Sequence, residues 1–231
     1  MSAAVTSKEG LRQEVLAMAS KVPTTATAPG LIAERLRSLQ AYRDARSLFI
    51  MPALLLKQIR VNCLADGKRL LMPLPGLKDG FSLLDPEAVA PKDRAQAVTP
   101  TGLERFGRRL RPKQLSDYRL DIIVTDGLAV APGGHLLGDG NGFLDLAYAL
   151  LRLWGAATEK STVVAVVAEE QTAPADFPIA AWDVPADAIL TSDHVRWLEP
   201  RPMKPAQIFW DELPFARIKR ITPLWQLSRS S

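Results

Sequence analysis

The sequence holds one cysteine, Cys63, and two histidines, His135 and His194, in 231 residues. A lone thiol excludes an internal disulfide and cannot by itself build a cysteine-based metal site. Cys63 is therefore expected as a small apolar residue on a buried helix. The histidines are far apart in sequence, and neither Gly-x-Ser-x-Gly nor His-Glu-x-x-His occurs, which removes the common hydrolytic arrangements. His135, just before a glycine-rich turn, could touch a ligand there, although a surface loop position explains it as well. No apolar run approaches the roughly 18 residues of a membrane span, and Met1 to Glu9 lacks the basic-then-apolar order of a secretory leader. These absences lead us to expect a cytoplasmic protein.

What is present is the composition of a globular domain, 47% hydrophobic and 23% charged. The net charge of +4 is concentrated locally: Arg105, Arg108, Arg109, Arg111, Lys113 and Arg119 fall within fifteen residues. Only Phe106 and Tyr118 could serve as stacking platforms there. A solvated surface is the simpler reading of the patch, and an acidic small molecule is a better partner than nucleic acid.

Periodicity gives an α/β order. Thr6 with Glu9 fits a capping box ahead of a helix from about Ser7 to Ser20. A loop over Val22 to Gly30 and a second helix through Leu31, Ile32, Leu36 and Leu39 follow. Ser47 to Met51 reads as a strand, Leu54 to Leu64 as a helix and Arg69 to Met72 as a strand. From Pro75 to Pro112 only Phe81 to Leu84 has a strand pattern. Leu120 to Thr125 and Thr162 to Val167 are unbroken apolar and β-branched runs, the mark of strands buried on both faces of a parallel sheet. Between them Phe143 to Trp154 is apolar nearly all round and ends at Gly155, as a buried helix with a glycine C-cap would. A short strand over Ala188 to Thr191 completes the pattern. The expected fold is a single α/β domain over residues 1–200, with a mostly parallel twisted sheet flanked by helices. Residues 201–231 are expected as a proline-rich, mostly irregular tail packed on it.

The chemistry concentrates in Gly138-Asp139-Gly140-Asn141-Gly142, placed directly before the buried helix. Bare backbone can approach a ligand there, and free N–H groups can hold phosphate oxygens. The turn is neither a Walker A loop nor a dinucleotide fingerprint. A tight turn that needs positive φ angles would also use these glycines. Asp145, in the first turn of the helix, either caps it or coordinates a cation; a magnesium ion could bridge that carboxylate to bound phosphates. Asp183 and Asp187, around Pro185, are expected to shape the turn before the last strand.

The order of these features resembles the 5-formyltetrahydrofolate cyclo-ligase family over almost the whole chain. Lys8-Glu9-Gly10-Leu11-Arg12 matches its Lys-x-x-Leu-Arg motif, and Gly67-Lys68 followed by Leu71-Met72-Pro73 matches its Gly-Lys strand. The segment Gly138-x-Gly140-x-Gly142-Phe143-x-Asp145 stands where the family has Gly-x-Gly-x-Gly-Tyr-Tyr-Asp, and Gln171, Asp183-Val184-Pro185 and Asp187 fit later segments. The resemblance implies a topology like that of sugar-phosphate isomerases and coenzyme A transferases. It also implies ATP- and magnesium-dependent conversion of 5-formyltetrahydrofolate to the 5,10-methenyl form. It would make Lys8, Arg12, Gly138, Gly140, Asn141 and Gly142 the nucleotide site, Asp145 the Mg2+ ligand, and Pro52, Phe143 and Trp182 substrate contacts. The implied partner is a small folate-like or other anionic molecule. There are departures: Ala53 stands where the family has a folate-holding glutamate, Leu136 and Asp139 replace basic residues, Leu144 replaces the second tyrosine, and Trp182 replaces a histidine. Asp145-Leu146, Pro52 to Arg60, Gly80 to Pro86 and Arg201 to Asp211 resemble a divergent branch of the family. A nucleotide- or phosphate-binding paralogue without cyclo-ligase activity is the alternative.

Overall fold

The two apolar runs become neighbouring strands at the middle of one sheet. The computed structural model describes residues 7–19, 29–173 and 178–229. Along the chain, α1 (Lys8–Ala19), α2 (Pro29–Ser38) and α3 (Gln40–Asp44) precede β1 (Ser47–Ile50), and α4 (Lys57–Ala65) leads into β2 (Arg69–Pro73) and β3 (Phe81–Leu84). Short helices α5 (Arg94–Ala97) and α6 (Pro100–Phe106) are followed by β4 (Arg108–Leu110), α7 (Pro112–Leu115) and β5 (Ile122–Asp126). A hairpin of β6 (Ala129–Val130) and β7 (Leu136–Leu137) precedes α8 (Phe143–Leu153), β8 (Thr162–Val166), β9 (Ala188–Leu190) and β10 (Val195–Trp197). The chain then forms α9 (Phe215–Arg220) and α10 (Thr222–Ser228).

The sheet has the order β10-β9-β8-β5-β1-β2-β3-β4. Its five inner strands, β9 to β2 in that order, are mutually parallel, whereas β10, β3 and β4 are added antiparallel at the two ends. Alternation within strands sorts the core into two layers. Phe49, Leu71, Ile123, Val163 and Ile189 face α8, α9 and α10, while Leu48, Ile50, Leu70, Val124 and Val166 face α2, α4 and α6. Because both faces are covered, the strands read as continuous apolar runs. Cys63 is fully buried on α4, as its composition implied.

Some expectations are corrected, and others fall outside the described residues. Thr6 lies outside the described residues, and α1 is capped by Ser7, whose hydroxyl accepts the Gly10 N–H at 3.2 Å. Glu9 accepts from Arg12 and Gln13. Most of the loop expected over Val22 to Gly30 also lies outside the described residues. The Pro75 to Pro112 region holds two helices and an edge strand, and the tail is helical rather than irregular over 215–228. Ile218, Ile221 and Leu224 of that tail are buried in the core, so it is part of the domain.

The basic patch lies on and beside the edge strand β4. There Arg108 donates to the Tyr118 hydroxyl at 2.5 Å and Arg109 pairs with Asp79 at 3.3 Å. Exposed arginines on an edge strand oppose pairing with another chain. No helix among the described residues is long and apolar enough to cross a membrane.

Candidate anion-binding site at the switch point of the sheet

From β1 the chain moves to β2 on one side of the sheet, then returns to β5, on the other side of β1. Such a reversal opens a crevice beyond the carboxyl ends of the two strands, where α/β sheets take their ligands. A cleft of about 320 Å³ lies there, lined by Met51 after β1, by Thr125 and Asp126 at the end of β5, and by Gly138, Asp139, Phe143 and Asp145. A second cleft of about 230 Å³ adjoins it, lined by Trp182, Phe209, Leu213 and Arg217 among others. The two share Gly142 and Asp145.

The glycine loop joins β7 to α8. Gly140 (φ 88°) and Gly142 (φ 55°) adopt the left-handed region that favours glycine. The Asp139 carboxylate accepts from the Asn141 backbone N–H at 2.9 Å and from its side-chain amide at 2.8 Å, which tightens the turn. The first N–H groups of α8 have no intrahelical acceptor and carry the positive end of the helix dipole. Two guanidiniums hold the loop. Arg12, from α1, donates through Nε to the Gly138 carbonyl at 2.9 Å, and Arg217, from α9, donates to the Asn141 carbonyl. A Cβ added at Gly140 would stand 3.4 Å from Arg12 Cζ; one at Gly142 would stand 3.5 Å from Asp145 Oδ2 and 3.9 Å from Arg217 Nη1. Gly138 faces open space.

Carboxylates also line the larger cleft. Asp145 Oδ1 accepts the Val184 N–H at 2.9 Å, which ties α8 to the segment before β9. Burial pushes its carboxyl up to about 6, despite the Val184 N–H that stabilises the anion; neighbouring Asp183 pushes the same way as burial. Asp183 is ion-paired with Lys8 and accepts the Ala180 N–H at 2.7 Å. Burial also raises Asp126, and the charge of Asp139 adds to that. Among the described residues no three His, Cys, Asp or Glu side chains converge as a metal site. A magnesium ion at Asp145 would therefore take its other ligands from phosphate oxygens and water, as that ion commonly does.

Arg12 meets the glycine loop at Gly138 and Gly140, Asp145 stands beside Gly142, and Lys8 reaches Asp183 of the same cleft. Phe143 lines the larger cleft under the Arg217 guanidinium, at 5.7 Å. Trp182 lines the smaller one, edge-on to Phe209 at 6.1 Å. Pro52 is exposed and does not line the larger cleft, although its neighbour Met51 does. Asp187, expected only to shape a turn, is 2% exposed and binds Arg201 and Lys204. Three groups near the site were not foreseen: Asp126, Arg217 and Arg60. Arg60 is buried and donates to the carbonyls of Met51 at 2.6 Å and Ala53 at 2.8 Å. The stretch around Ala53 is thus held from within by an arginine.

A sequence profile described as the 5-formyltetrahydrofolate cyclo-ligase family matches residues 4–192. The chain belongs to the 5-formyltetrahydrofolate cyclo-ligase family. This is a family of ligase-type enzymes. Among curated proteins, the methenyltetrahydrofolate synthase domain-containing protein of Bos taurus is 32% identical over 187 residues, covering 78% of this chain and 48% of that protein. Its Danio rerio counterpart is 29% identical over 199 residues, covering 84% and 51% respectively. The chain therefore spans about half the length of the curated relatives it matches. The NMR structure of Aquifex aeolicus 5,10-methenyltetrahydrofolate synthetase superposes with a TM-score of 0.56 at 20% identity, covering 89% of this chain and 99% of that one. The cyclo-ligase fold expected from the motifs is the fold observed.

Proposed function

We propose that this member of the family binds ATP and magnesium at the glycine loop and converts 5-formyltetrahydrofolate, or a related formylated acid, to its 5,10-methenyl form. The observation that carries the reading is a left-handed glycine loop on the switch-point crevice, with Arg12 on its Gly138 carbonyl, Asp145 in the first turn of the following helix, and Lys8 ion-paired to Asp183 of the same crevice. The residues suit a nucleotide: the loop offers backbone donors, Arg12 offers positive charge beside Gly138 and Gly140, and Asp145 offers an anionic ligand for magnesium. ATP supplies the phosphoryl group that activates the formyl oxygen, so that the neighbouring ring nitrogen can close with loss of phosphate. The chain's part is positioning and charge neutralisation, which is most of what phosphoryl transfer requires. Phe143, Met51 and Leu55 offer an apolar wall to a flat ring in the larger cleft. The test is a turnover assay that follows the methenyl product with ATP, magnesium and 5-formyltetrahydrofolate. Product that depends on all three is expected; none under any of these conditions would overturn the cyclo-ligase reading.

A specific observation favours a second reading. Ala53 offers no carboxylate, its carbonyl is bound by Arg60, and Asp139 adds negative charge to the loop. A phosphate-binding paralogue that has lost folate turnover would show magnesium-dependent nucleotide binding without product.

A further inference from the structure

The loop's own basic positions are occupied by Leu136 and Asp139, yet a cation stands beside it all the same. Arg217 belongs to α9, beyond residue 192 where the family match ends. It is half-buried, donates to the Asn141 carbonyl and lies over the Phe143 ring. Among the described residues no carboxylate oxygen lies within ion-pair distance of it. The nearest acidic groups, Asp145 and Asp139, act on it only through space, and desolvation lowers its basicity. A poorly solvated cation without a contacting counterion favours taking an anion.

The geometry leaves a place for one. The Cβ position missing at Gly142 is 3.5 Å from the Asp145 carboxylate and 3.9 Å from the Arg217 guanidinium, and Gly142 and Arg217 line the smaller cleft together with Trp182 and Phe209. Arg217 is also held firmly. Ile218, Ile221 and Leu224 anchor its helix pair in the core, and the Thr222 N–H donates to the Lys78 carbonyl at 2.8 Å. Upstream, Arg201 and Lys204 fix the segment to buried Asp187 at 2.7 Å and 2.5 Å.

We propose that the C-terminal segment completes the anion site, with Arg217 as the phosphate-binding cation at the Asn141–Gly142 end of the glycine loop, while Arg12 holds the Gly138 end. This rests on the phosphate-binding reading of the loop and adds to it the residue that makes up for the loop's missing positive charge. The segment is thereby part of the binding site itself and sets which anion fits it.

The test is calorimetric titration of a non-hydrolysable ATP analogue, and separately of inorganic tripolyphosphate, with magnesium, into the unmodified, Arg217→Gln and Arg217→Lys chains. Losing one charge-assisted hydrogen bond is expected to weaken both probes by about tenfold or more in Arg217→Gln, with Arg217→Lys intermediate and both melting temperatures near that of the unmodified chain. Unchanged affinity in Arg217→Gln, or equal loss in the Gln and Lys chains, would overturn the proposal while leaving the loop's phosphate reading intact. Failure of the unmodified chain to bind either probe would overturn both. A measurement on the unmodified chain alone covers the case of a variant that does not fold: amide exchange in α9 should slow when tripolyphosphate is added, and no change there would contradict Arg217 as the cation.

Discussion

At Gly138 an added methyl would meet nothing within 4 Å, whereas at Gly142 it would stand 3.5 Å from the Asp145 carboxylate on left-handed backbone. The two glycines should therefore fail differently. Gly142→Ala should cost about 1–2 kcal/mol of stability and also lose phosphate binding. Gly138→Ala should melt like the unmodified chain and still bind the ATP analogue poorly, because the open space at Gly138 is where the ligand would lie. Normal binding by Gly138→Ala would show that the ligand does not approach that backbone.

Asp145 carries the second residue-scale prediction. Its carboxyl is raised to about 6 in the folded chain, against roughly 3.9 unfolded, so the folded state binds more protons between those values. Stability of the metal-free protein should fall as pH rises through that window, and the deficit should persist at neutral pH. Asp145→Asn keeps an acceptor for the Val184 N–H and removes the buried charge. It should melt higher at pH 7, by on the order of 2 kcal/mol, flatten that pH dependence, and lose magnesium-dependent nucleotide binding. A lower melting temperature with binding retained would make Asp145 a structural group only. This part of the site was legible because glycines and a carboxylate at fixed spacing have few other uses. Arg217 was not, since its partner Asn141 is 76 residues away and an arginine among the basic residues of α9 carries no mark of its contact.

Among the elements, proline misled most. Pro100, Pro112 and Pro223 stand in the first turns of α6, α7 and α10, and Pro214 caps α9. A first-turn proline lacks only an N–H that would have no partner, so it starts helices as readily as it ends them. Thr99 completes the start of α6 by accepting the Gly102 N–H at 3.1 Å. The long apolar runs were legible because a doubly covered strand has no polar side to hide.

The element that joins tail to sheet is Asp187. Burial alone would raise its carboxyl, but Arg201, Lys204 and the Val163 N–H outweigh burial and hold it below the usual range. Its contribution is present above the unfolded value of roughly 3.9 and is lost as pH falls through the lower folded value. Asp187→Ala would leave Lys204 buried without its partner, a change that costs about 3–5 kcal/mol. We expect that variant to be nicked by protease in the segment 199–214 at neutral pH, where the unmodified chain resists. Equal resistance would show that the apolar anchors of α9 and α10 suffice.

For the whole molecule, the switch point decides where chemistry can occur. Strand order was not legible in the sequence, because the apolar runs specify burial but not neighbours. Once β1 lies between β2 and β5, Met51 and Asp126 must flank one crevice, and the glycine loop closes over it. The amino-terminal helix and the carboxy-terminal helices bring Arg12 and Arg217 to that loop, at the Gly138 and Asn141 carbonyls. The proposed function makes this crevice a magnesium- and nucleotide-dependent folate site. Its most direct test is calorimetric titration with a non-hydrolysable ATP analogue, with and without magnesium, before and after adding 5-formyltetrahydrofolate. The account predicts nucleotide binding that requires magnesium and is strengthened by the folate; no nucleotide binding under any of these conditions would contradict it.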